Sequence, residues 1–365
     1  MAGSTYGNIF KITTWGESHG KGIGVVIDGC PAGLPLSEED IQIYLNRRKP
    51  GQSRYSTPRK EEDAVEILSG VFEGKTTGTP ISLVVFNNNQ KSKDYSEIAS
   101  YYRPGHADYT FDAKYGFRDY RGGGRSSGRE TIGRVAAGAI AAKILQQLGI
   151  TLTTYTKSIG AICISSFDAD TIYNNPLYMP DADAAKKAEE YLEKCLSESD
   201  SAGGVIECII DGVPAGIGDP VFEKLDANLA KAILSIGAVK GFEIGDGFDV
   251  ALAKGTTNND NFYMTNDHKV AKSTNHSGGV LGGMSDGSKI IFRAAVKPTP
   301  SVASLQKTVN KSGEDIEISI HGRHDPIIVP RAVVVVESMA ALTILDAMLL
   351  NMSAKMDNIC NFYKN

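Results

Sequence analysis

A glycine-rich stretch that runs into an alanine-rich segment is the strongest candidate for binding chemistry in the sequence. Residues 121–130 read Arg-Gly-Gly-Gly-Arg-Ser-Ser-Gly-Arg-Glu, and Ser127 and Glu130 have the spacing of a capping box. Glycines let backbone N–H groups approach an anion, and the guanidiniums of Arg125 and Arg129 suit phosphate. The spacing matches neither a Rossmann fingerprint nor a P-loop. An anion site and a capped helix with solvated arginines explain these residues about equally well.

A second group of basic residues follows the first predicted helix. Its members are Arg47, Arg48, Lys49, Arg54, Arg59 and Lys60. Cations also stabilise the C-terminal end of a helix, which is the simpler explanation for part of this group. The net charge of the chain is −5, which disfavours a broad polyanion-binding surface and hence nucleic acid as a partner. Two local arginine clusters in an acidic protein favour an anionic small molecule as the substrate.

Four of the six histidines stand out because they lie in three turn-rich sequences beside arginine, glycine or acidic residues. The three sequences are Gly16-Glu17-Ser18-His19-Gly20, Arg103-Pro104-Gly105-His106-Ala107-Asp108 and His321-Gly322-Arg323-His324-Asp325-Pro326. An imidazole in such a loop suits proton transfer better than core packing, since it titrates near neutral pH. For any one of them, an ordinary surface histidine is the simpler interpretation. The spacings fit neither a zinc site nor a serine nucleophile, so no metal is predicted.

The composition is that of an ordinary globular protein of 365 residues, of which 41% are hydrophobic and 22% charged. Five scattered cysteines without a C-x-x-C pair fit a reducing compartment, and the N-terminal sequence lacks the apolar core of a signal peptide. The most apolar stretch, 332–350, contains Glu337 and Asp346, which favours a buried helix over a membrane span. We therefore expect a soluble, cytoplasmic protein with no membrane partner.

Helix and strand signals alternate along the chain. Start and stop signals predict helices over 36–48, 130–148, 181–199, 221–236 and 332–351. Runs rich in Val, Ile and Thr predict strands over 64–71, 80–86, 150–158, 205–210 and 289–296. The sequence therefore predicts a mixed α/β fold with hairpins.

Two similar hexapeptides indicate an internal duplication. Asp28-Gly29-Cys30-Pro31-Ala32-Gly33 recurs as Asp211-Gly212-Val213-Pro214-Ala215-Gly216. The match extends back, without gaps, to Glu17-Ser18-His19-Gly20 and Asp200-Ser201-Ala202-Gly203, so Ala202 replaces the imidazole in the second copy. One common strand-turn-helix sequence in two unrelated places is the alternative. The predicted organisation is one domain, 1–365, with pseudo-repeat halves near 1–170 and 200–365.

Six motifs occur in order along nearly the whole chain. They are GESHG at 16–20, RPGHAD at 103–108, GGGRSSGRE at 122–130, SGGVLGG at 277–283, KPTPS at 297–301 and GRHDP at 322–326. Together they resemble the chorismate synthase family. Gly128 stands where many members have Ala, and Gly237 where some have Pro. The resemblance implies a β-α-β sandwich, with long central helices between four-stranded antiparallel sheets, and a homotetramer with one flavin mononucleotide (FMN) per subunit.

The activity that this resemblance implies is the anti-1,4-elimination of phosphate from 5-enolpyruvylshikimate 3-phosphate to give chorismate, a carbon–oxygen lyase reaction at the end of the shikimate pathway. Reduced FMN is required in this reaction but is not consumed, and it can lend electron density to the departing phosphate. The resemblance also implies an external flavin reductase or other reductant, with NADPH only as an indirect source.

The family's functional positions carry over residue by residue. Those that bind FMN fall on Arg125, Ser126, Ser127, Gly237, Ala238, Gly282, Lys297, Pro298, Thr299, Pro300, Ser301 and Arg323. Those that bind the substrate fall on His19, Arg48, Arg54, Arg103 and Arg129. The resemblance implies that His106 protonates the reduced flavin, that Asp325 assists proton removal at flavin N5 and that His19 serves the departing phosphate. Ser18 and Ser127 are implied as proton relays.

Two functions of other kinds fit parts of the sequence. An NADPH-dependent flavin reductase also needs phosphate-binding loops, but the chain lacks the large insertions of family members that reduce their own flavin. An RNA-binding module would use the arginine clusters, but RNP-like aromatic motifs are missing and the net charge is negative. NADPH oxidation without an added reductase tests the first alternative, and salt-dependent gel shifts test the second.

Overall fold

The first antiparallel sheet is built from the N-terminal part of the chain. The computed structural model describes residues 3–52, 54–55, 61–87, 97–320 and 325–364. The strands are β1 (Thr5–Tyr6), β2 (Lys11–Gly16), β3 (Gly22–Asp28), β4 (Val65–Ser69), the hairpin of β5 (Val71–Phe72) and β6 (Lys75–Thr76), and β7 (Ile81–Phe86). The order in the sheet is β1-β2-β3-β7-β4. Alternate residues of β2 are buried, which gives this sheet one face towards the core.

A second antiparallel sheet follows. Its strands are β8 (Thr151–Ile159), β9 (Ile162–Cys163), β10 (Gly204–Asp211), β11 (Val239–Ile244) and β16 (Ile290–Val296). Between β11 and β16 lie the two-stranded hairpins of β12 (Phe262–Met264) with β13 (Val270–Lys272) and of β14 (Val280–Leu281) with β15 (Met284–Ser285), and the hairpin of β17 (Gln306–Val309) with β18 (Asp315–Ile318) follows β16. The order in the sheet is β11-β16-β10-β8-β9. Each sheet therefore consists of four longer strands and a two-residue edge strand, β1 or β9.

Two long helices lie between the sheets. These two are α3 (Thr131–Gln147) and α7 (Val329–Asn351). The other α-helices of the described chain are α1 (Glu38–Arg48), α2 (Asp108–Tyr115), α4 (Ala182–Ser197), α5 (Leu225–Leu234), α6 (Gly255–Asn258) and α8 (Met356–Tyr363). Helix α3 packs on α7 and on β2, β3 and β7, whereas α7 also packs on β8 and β10. Both helices are buried around most of their circumference, as central helices must be. The predicted sandwich of sheet, helices and sheet is confirmed.

The charged residues within α7 are bound by the rest of the protein. Arg47 donates to both carboxylate oxygens of Glu337, at 3.0 and 2.6 Å. Asp346 accepts the backbone N–H groups of Ile9 and Phe10 at 2.7 and 3.0 Å. Helix α7 is long and apolar enough to cross a membrane, but 78% of its most apolar window is buried inside the protein. It is therefore the buried helix that the stretch 332–350 predicts.

The two central helices touch at Gly138. A Cβ atom at Gly138 would lie 2.2 Å from the Cβ of Ser338 in α7. Replacing Gly138 with alanine forces two enclosed helices apart, and we expect the free energy of unfolding to fall by about 1–3 kcal/mol. Urea unfolding measures this change.

Gly128→Ala is the control for this prediction, because a Cβ there would meet no atom within 4 Å. We expect this variant to be as stable as the wild type or slightly more stable, since alanine restricts the unfolded chain. A Gly138→Ala variant as stable as the wild type would show that the helices do not pack this closely.

The two sheets share one strand order. The sequence β2-β3-β7-β4 in the first sheet corresponds to β8-β10-β16-β11 in the second. Strands β3 and β10 each lead into a D-G-x-P-A-G turn, and the turns make matching hydrogen bonds. Thr76 Oγ1 donates to the carbonyl oxygen of Pro31 at 2.6 Å in the first turn. Ser285 Oγ donates to that of Pro214, also at 2.6 Å, in the second.

The tetrapeptides that align in sequence also occupy corresponding places. Residues 17–20 lie just before β3, and residues 200–203 lie just before β10. Helix α4 is inserted ahead of the second tetrapeptide, whereas β2 leads directly into the first. Strand β8 belongs to the second sheet. The second structural half therefore begins at Thr151, earlier than the boundary near 170 that the sequence indicates.

Candidate active site

The glycine-rich turn before α3 packs against the loop that carries His19. Gly122 has a φ of 107°, and a Cβ atom there would lie 2.5 Å from Cε1 and Nδ1 of His19. Only glycine allows this conformation and this approach. His19 Nδ1 lies 3.1 Å from Ser18 Oγ. The GESHG and GGGRSSGRE motifs, about a hundred residues apart in sequence, are therefore neighbours in space.

The start of α3 differs from the predicted capping box. Ser127 Oγ accepts the backbone N–H of Arg129 at 3.3 Å, in a short 3₁₀ turn ahead of the helix. The Glu130 carboxylate instead accepts hydrogen bonds from Thr14 Oγ1 and Arg134 Nε, both at 2.8 Å. The prediction of a capping box is wrong because a tertiary contact with β2 and a neighbouring arginine bind the glutamate.

Arg125 ties the glycine-rich turn to the first sheet. Its guanidinium donates to the carbonyl oxygens of Gly16 and Thr14, both at 3.1 Å, and to Thr14 Oγ1 at 2.7 Å. Ser126, beside it, is exposed. These contacts give Arg125 a structural task in the protein. Its contact with FMN stays a prediction.

Two arginines that the family resemblance assigns to the substrate share one buried carboxylate. Asp63 Oδ2 accepts from Arg48 Nη2 at 2.8 Å, and Asp63 Oδ1 accepts from Arg129 Nη1 at 3.1 Å. Arg48 is 1% exposed and donates from Nη1 to the carbonyl oxygen of Gly128 at 3.0 Å. Glu61 also forms an ion pair with Arg129. The structure therefore brings Arg48 and Arg129 together on one carboxylate, and their contact with the substrate stays a prediction.

Asn87 connects this arginine pair to the His19 loop. Its Oδ1 accepts from Arg129 Nη2 at 2.7 Å, and its Nδ2 donates to the carbonyl oxygens of Glu17 and Gly20 at 3.1 and 2.9 Å. Neither Asn87 nor Asp63 was predicted from the sequence, because neither lies in a recognisable motif. A polar residue directly after an apolar strand was the one local signal for Asn87.

A second cluster forms where the RPGHAD and KPTPS motifs meet. His106 Nδ1 lies 2.9 Å from the carbonyl oxygen of Pro104, and His106 Nε2 lies 2.9 Å from Ser301 Oγ. A carbonyl oxygen can only accept, so Nδ1 carries the proton of the neutral ring and Nε2 accepts from Ser301. Burial lowers the pKa of His106, and the nearby charge of Arg103 lowers it further. The ring is therefore neutral near pH 7, and Nε2 is its proton acceptor.

The KPTPS motif contains a buried polar atom whose hydrogen bond is not made within the described part of the chain. This atom is Thr299 Oγ1. The backbone N–H of Lys297 donates to the carbonyl oxygen of Ala238 at 2.9 Å, which places Gly237 and Ala238 beside the motif. Ala238 has a φ of 71°, a strained conformation of the kind found in ligand sites. These features fit the FMN that the resemblance implies. Arg323, a further predicted FMN residue, lies outside the described residues.

The segment that begins at Asp325 joins the two clusters. Asp325 Oδ2 accepts from Arg331 Nη1 at 2.7 Å, and Arg331 Nε donates to the carbonyl oxygen of Arg48 at 3.0 Å. The carbonyl oxygen of Pro326 accepts the backbone N–H of Ala202 at 2.9 Å. Ser201, the residue before Ala202, donates from Oγ to the carbonyl oxygen of Thr299 in the KPTPS motif at 2.7 Å. Asp325 thus lies between the arginine pair and the KPTPS motif, and Arg331, which no sequence motif contains, links Asp325 to Arg48.

Two arginines assigned to the substrate are bound by acidic side chains. Arg54 forms ion pairs with Glu189 and Glu193 of α4, at 3.2 and 2.6 Å, and its side chain is 64% exposed. Arg103 donates from Nε and Nη2 to the two carboxylate oxygens of Asp108, both at 2.8 Å. Neither guanidinium contacts the arginine pair in the described part of the chain, so both substrate assignments stay predictions.

Gly282 lies at the other end of the second sheet from the KPTPS motif. Gly204, at the start of β10, pairs with Val296, the residue before the motif. Beyond the end of β10, Pro214 is bound by Ser285 of β15, the strand that follows Gly282. The eight residues of β10 span roughly 25 Å. The described chain therefore places Gly282 about the length of β10 away from the KPTPS motif.

The sequence of the chain is similar to those of known proteins. A family profile described as "Chorismate synthase" matches residues 10–349. The chain is 76% identical over 366 residues to the chorismate synthase of Agathobacter rectalis, with 100% of both chains covered. It is 55% identical to that of Methanosarcina mazei, with 96% of this chain and 97% of that protein covered.

A solved structure described as "Crystal Structure of Chorismate Synthase" matches the fold. The two structures superpose with a TM-score of 0.76 at 30% sequence identity, covering 98% of this chain and 97% of that chain. The residues 10–349 that the family profile matches include strands β2 to β18, helix α3, all but the last two residues of α7, and both side-chain clusters. The chain therefore belongs to the chorismate synthase family.

Proposed function

We propose that the chain converts 5-enolpyruvylshikimate 3-phosphate to chorismate by anti-1,4-elimination of phosphate, and that it requires reduced FMN without consuming it. Family membership over residues 10–349 is the observation that carries this proposal. In the reaction a C–H bond at C6 and the C–O bond at C3 break, and a new C–C double bond forms. Substrate and products therefore stand at the same oxidation level.

The arginine pair supplies the anion site of the proposed reaction. The substrate carries a phosphate and two carboxylates, and the guanidiniums of Arg48 and Arg129 form charge-assisted hydrogen bonds with such groups. His19 lies on the loop that Asn87 ties to Arg129. A protonated imidazole at this place neutralises the charge that grows on the phosphate as the C3–O bond breaks. Ser18, within hydrogen-bond distance of His19 Nδ1, relays its proton.

The KPTPS motif, Ala238 and the turn that carries Arg125 would hold the FMN. When bound, reduced FMN supplies electron density that helps the phosphate to depart. Thr299 Oγ1 offers a buried hydrogen bond to such a ligand. His106 keeps its proton on Nδ1 and exchanges a proton at Nε2 through Ser301. The Asp325 carboxylate, oriented by its ion pair, is the second proton acceptor.

Further parts of the proposal concern the source of the reductant, the assembly state and the location of the protein in the cell. We expect an external flavin reductase or another reductant to supply reduced FMN, with NADPH only as an indirect source. We expect a homotetramer in the cytoplasm, with neither nucleic acid nor a membrane as a partner. Light scattering during size-exclusion chromatography measures the assembly state.

Anaerobic incubation with the enolpyruvyl substrate tests the proposed function. We expect chorismate and phosphate to form with chemically reduced FMN and not with oxidised FMN, because only the reduced flavin can lend electron density. A folded protein that forms no chorismate with reduced FMN would refute the proposal. NADPH without an added reductase should give no turnover, whereas steady NADPH oxidation would favour a flavin reductase.

A further inference from the structure

Asp63 adopts a backbone conformation that residues with a side chain rarely use. It lies between α1 and β4 with a φ of 47°, and it is 4% exposed. Aspartate tolerates the left-handed region better than most residues, but such a conformation persists only where the surroundings determine it. Because its side chain is fully buried, the contacts of its carboxylate hold Asp63 in place.

The Asp63 carboxylate bridges two guanidiniums from separate parts of the fold. One belongs to Arg48 at the end of α1, at 2.8 Å, and the other to Arg129 just ahead of α3, at 3.1 Å. Two guanidiniums this close to one carboxylate repel each other, and partial burial strengthens the repulsion. The carboxylate between them offsets that repulsion. It also fixes the distance between the two positive groups.

The same contacts continue to the loop that carries His19. Arg129 donates from Nη2 to Asn87, which in turn donates to the carbonyl oxygens of Glu17 and Gly20. Asp63 and Asn87 therefore hold the two ends of one guanidinium. A shift of that guanidinium moves the loop as well.

We propose that Asp63, assisted by Asn87, positions the guanidiniums of Arg48 and Arg129 for the anionic groups of the substrate. Asp63 acts through the two arginines. This inference rests on the proposed function, since it assumes that the arginine pair receives the substrate. It adds two residues that none of the six sequence motifs contains.

The charge of the Asp63 carboxylate and its positioning role lead to opposite predictions for how KM changes when the carboxylate is removed. Removing a negative charge beside two arginines strengthens their attraction for an anion. Removing the bridge leaves two guanidiniums that repel each other and lose their fixed orientation, which weakens binding. The sign of the change in KM therefore distinguishes a positioning residue from a simple counter-charge.

Asp63→Asn tests this directly, because asparagine has the same shape, tolerates the left-handed backbone and carries no charge. We expect KM for the enolpyruvyl substrate to rise about tenfold or more, since misplacing a positioning group by about 1 Å can cost 10²-fold. Turnover at saturation should change less, because the lost interaction binds the ground state as well. A folded variant whose KM equals or falls below that of the wild type would overturn the proposal.

Glu61→Gln is the matched charge control. Within the described residues Glu61 pairs with Arg129 and not with Arg48, so this change removes the same charge but leaves the bridge. We expect its KM to stay within about threefold of the wild type, as for a partly exposed ion pair. Equal increases in KM for Asp63→Asn and Glu61→Gln would also overturn the proposal.

Glu207→Gln controls for lost stability. Glu207 is another buried carboxylate, bound by Lys157 at 2.9 Å in the second sheet, and its replacement should leave KM unchanged.

If Asp63→Asn does not fold, the Asn87→Ala variant tests the proposal in its place. It should raise KM several-fold, and an unchanged KM would overturn the proposal. Wild-type protein that forms no chorismate refutes the proposed function itself, so the two failures are distinguishable.

Discussion

Replacing His106 with alanine is expected to lower turnover by about 10²–10⁴-fold, the usual range for lost acid–base assistance. The carbonyl oxygen of Pro104 binds Nδ1–H, so Nε2 is the atom that exchanges protons, and Ser301 is its partner. Burial and the charge of Arg103 lower the pKa of the ring, so the neutral form takes up a proton and its conjugate acid returns it readily. The loss should therefore also change the protonation state of bound reduced flavin.

Anaerobic stopped-flow spectroscopy with reduced FMN and substrate measures turnover and the flavin spectrum together. His276→Ala is the control, because His276 is bound by Asp246 at 2.6 Å and lies in neither cluster. The control should keep near-normal turnover and an unchanged spectrum. Near-normal turnover of His106→Ala would exclude His106 from catalysis.

Replacing His19 with alanine is expected to lower turnover by a similar factor, about 10²–10⁴-fold, but for a different reason. His19 lies against Gly122 and Ser18, on the loop that is tied to the arginine pair. A phosphate held by those arginines favours the protonated imidazole, which stabilises the charge on the leaving group. The spectrum of the reduced flavin in the ternary complex should therefore change less than in His106→Ala.

The same stopped-flow experiment on His19→Ala tests this division of roles. Turnover is read from chorismate formation, and the flavin spectrum is compared across the wild type and both histidine variants. Unimpaired turnover would remove His19 from the mechanism. Flavin spectra that match in the two variants would end the claim that the histidines have separate roles.

Helices were predicted well where residues close in sequence make the hydrogen bonds that cap the helix start. The helices predicted at 36–48 and 181–199 agree with α1 and α4 to within two residues at each end. Ser37 N–H donates to Asp40, and Asp181 accepts the N–H of Ala184, so both starts depend on neighbours in sequence. Such caps can be recognised without tertiary structure.

Where the fold overrides local sequence, the predictions failed by several residues. The helix predicted at 221–236 begins only at Leu225, because Val221 has a φ of 65° and cannot be helical. The last helix was predicted to begin at residue 332, but α7 begins three residues earlier, at Val329, because Pro330 is well placed in a first helical turn. Short elements with weak patterns, such as α2, α8 and the hairpin of β12 and β13, were not predicted.

The sequence predicted the motifs of the candidate site, but it did not predict which of them lie in contact. The glycine-rich turn and the GESHG loop were both named, yet only the fold shows that Gly122 touches His19. Asp63 and Asn87 were missed because their role depends on arginines that are distant in sequence. Sequence therefore identified the groups that could do chemistry, whereas packing determines which of them meet.

The claim that reduced FMN is required but not consumed is tested most directly by stoichiometry. Anaerobic assays with the enolpyruvyl substrate in large excess over reduced FMN would record chorismate, phosphate and flavin absorbance together. We predict equal amounts of chorismate and phosphate, many turnovers for each flavin, and flavin that is still reduced when the substrate is exhausted. Product formation that stops at one equivalent per flavin, with the flavin oxidised in step, would contradict the proposed reaction.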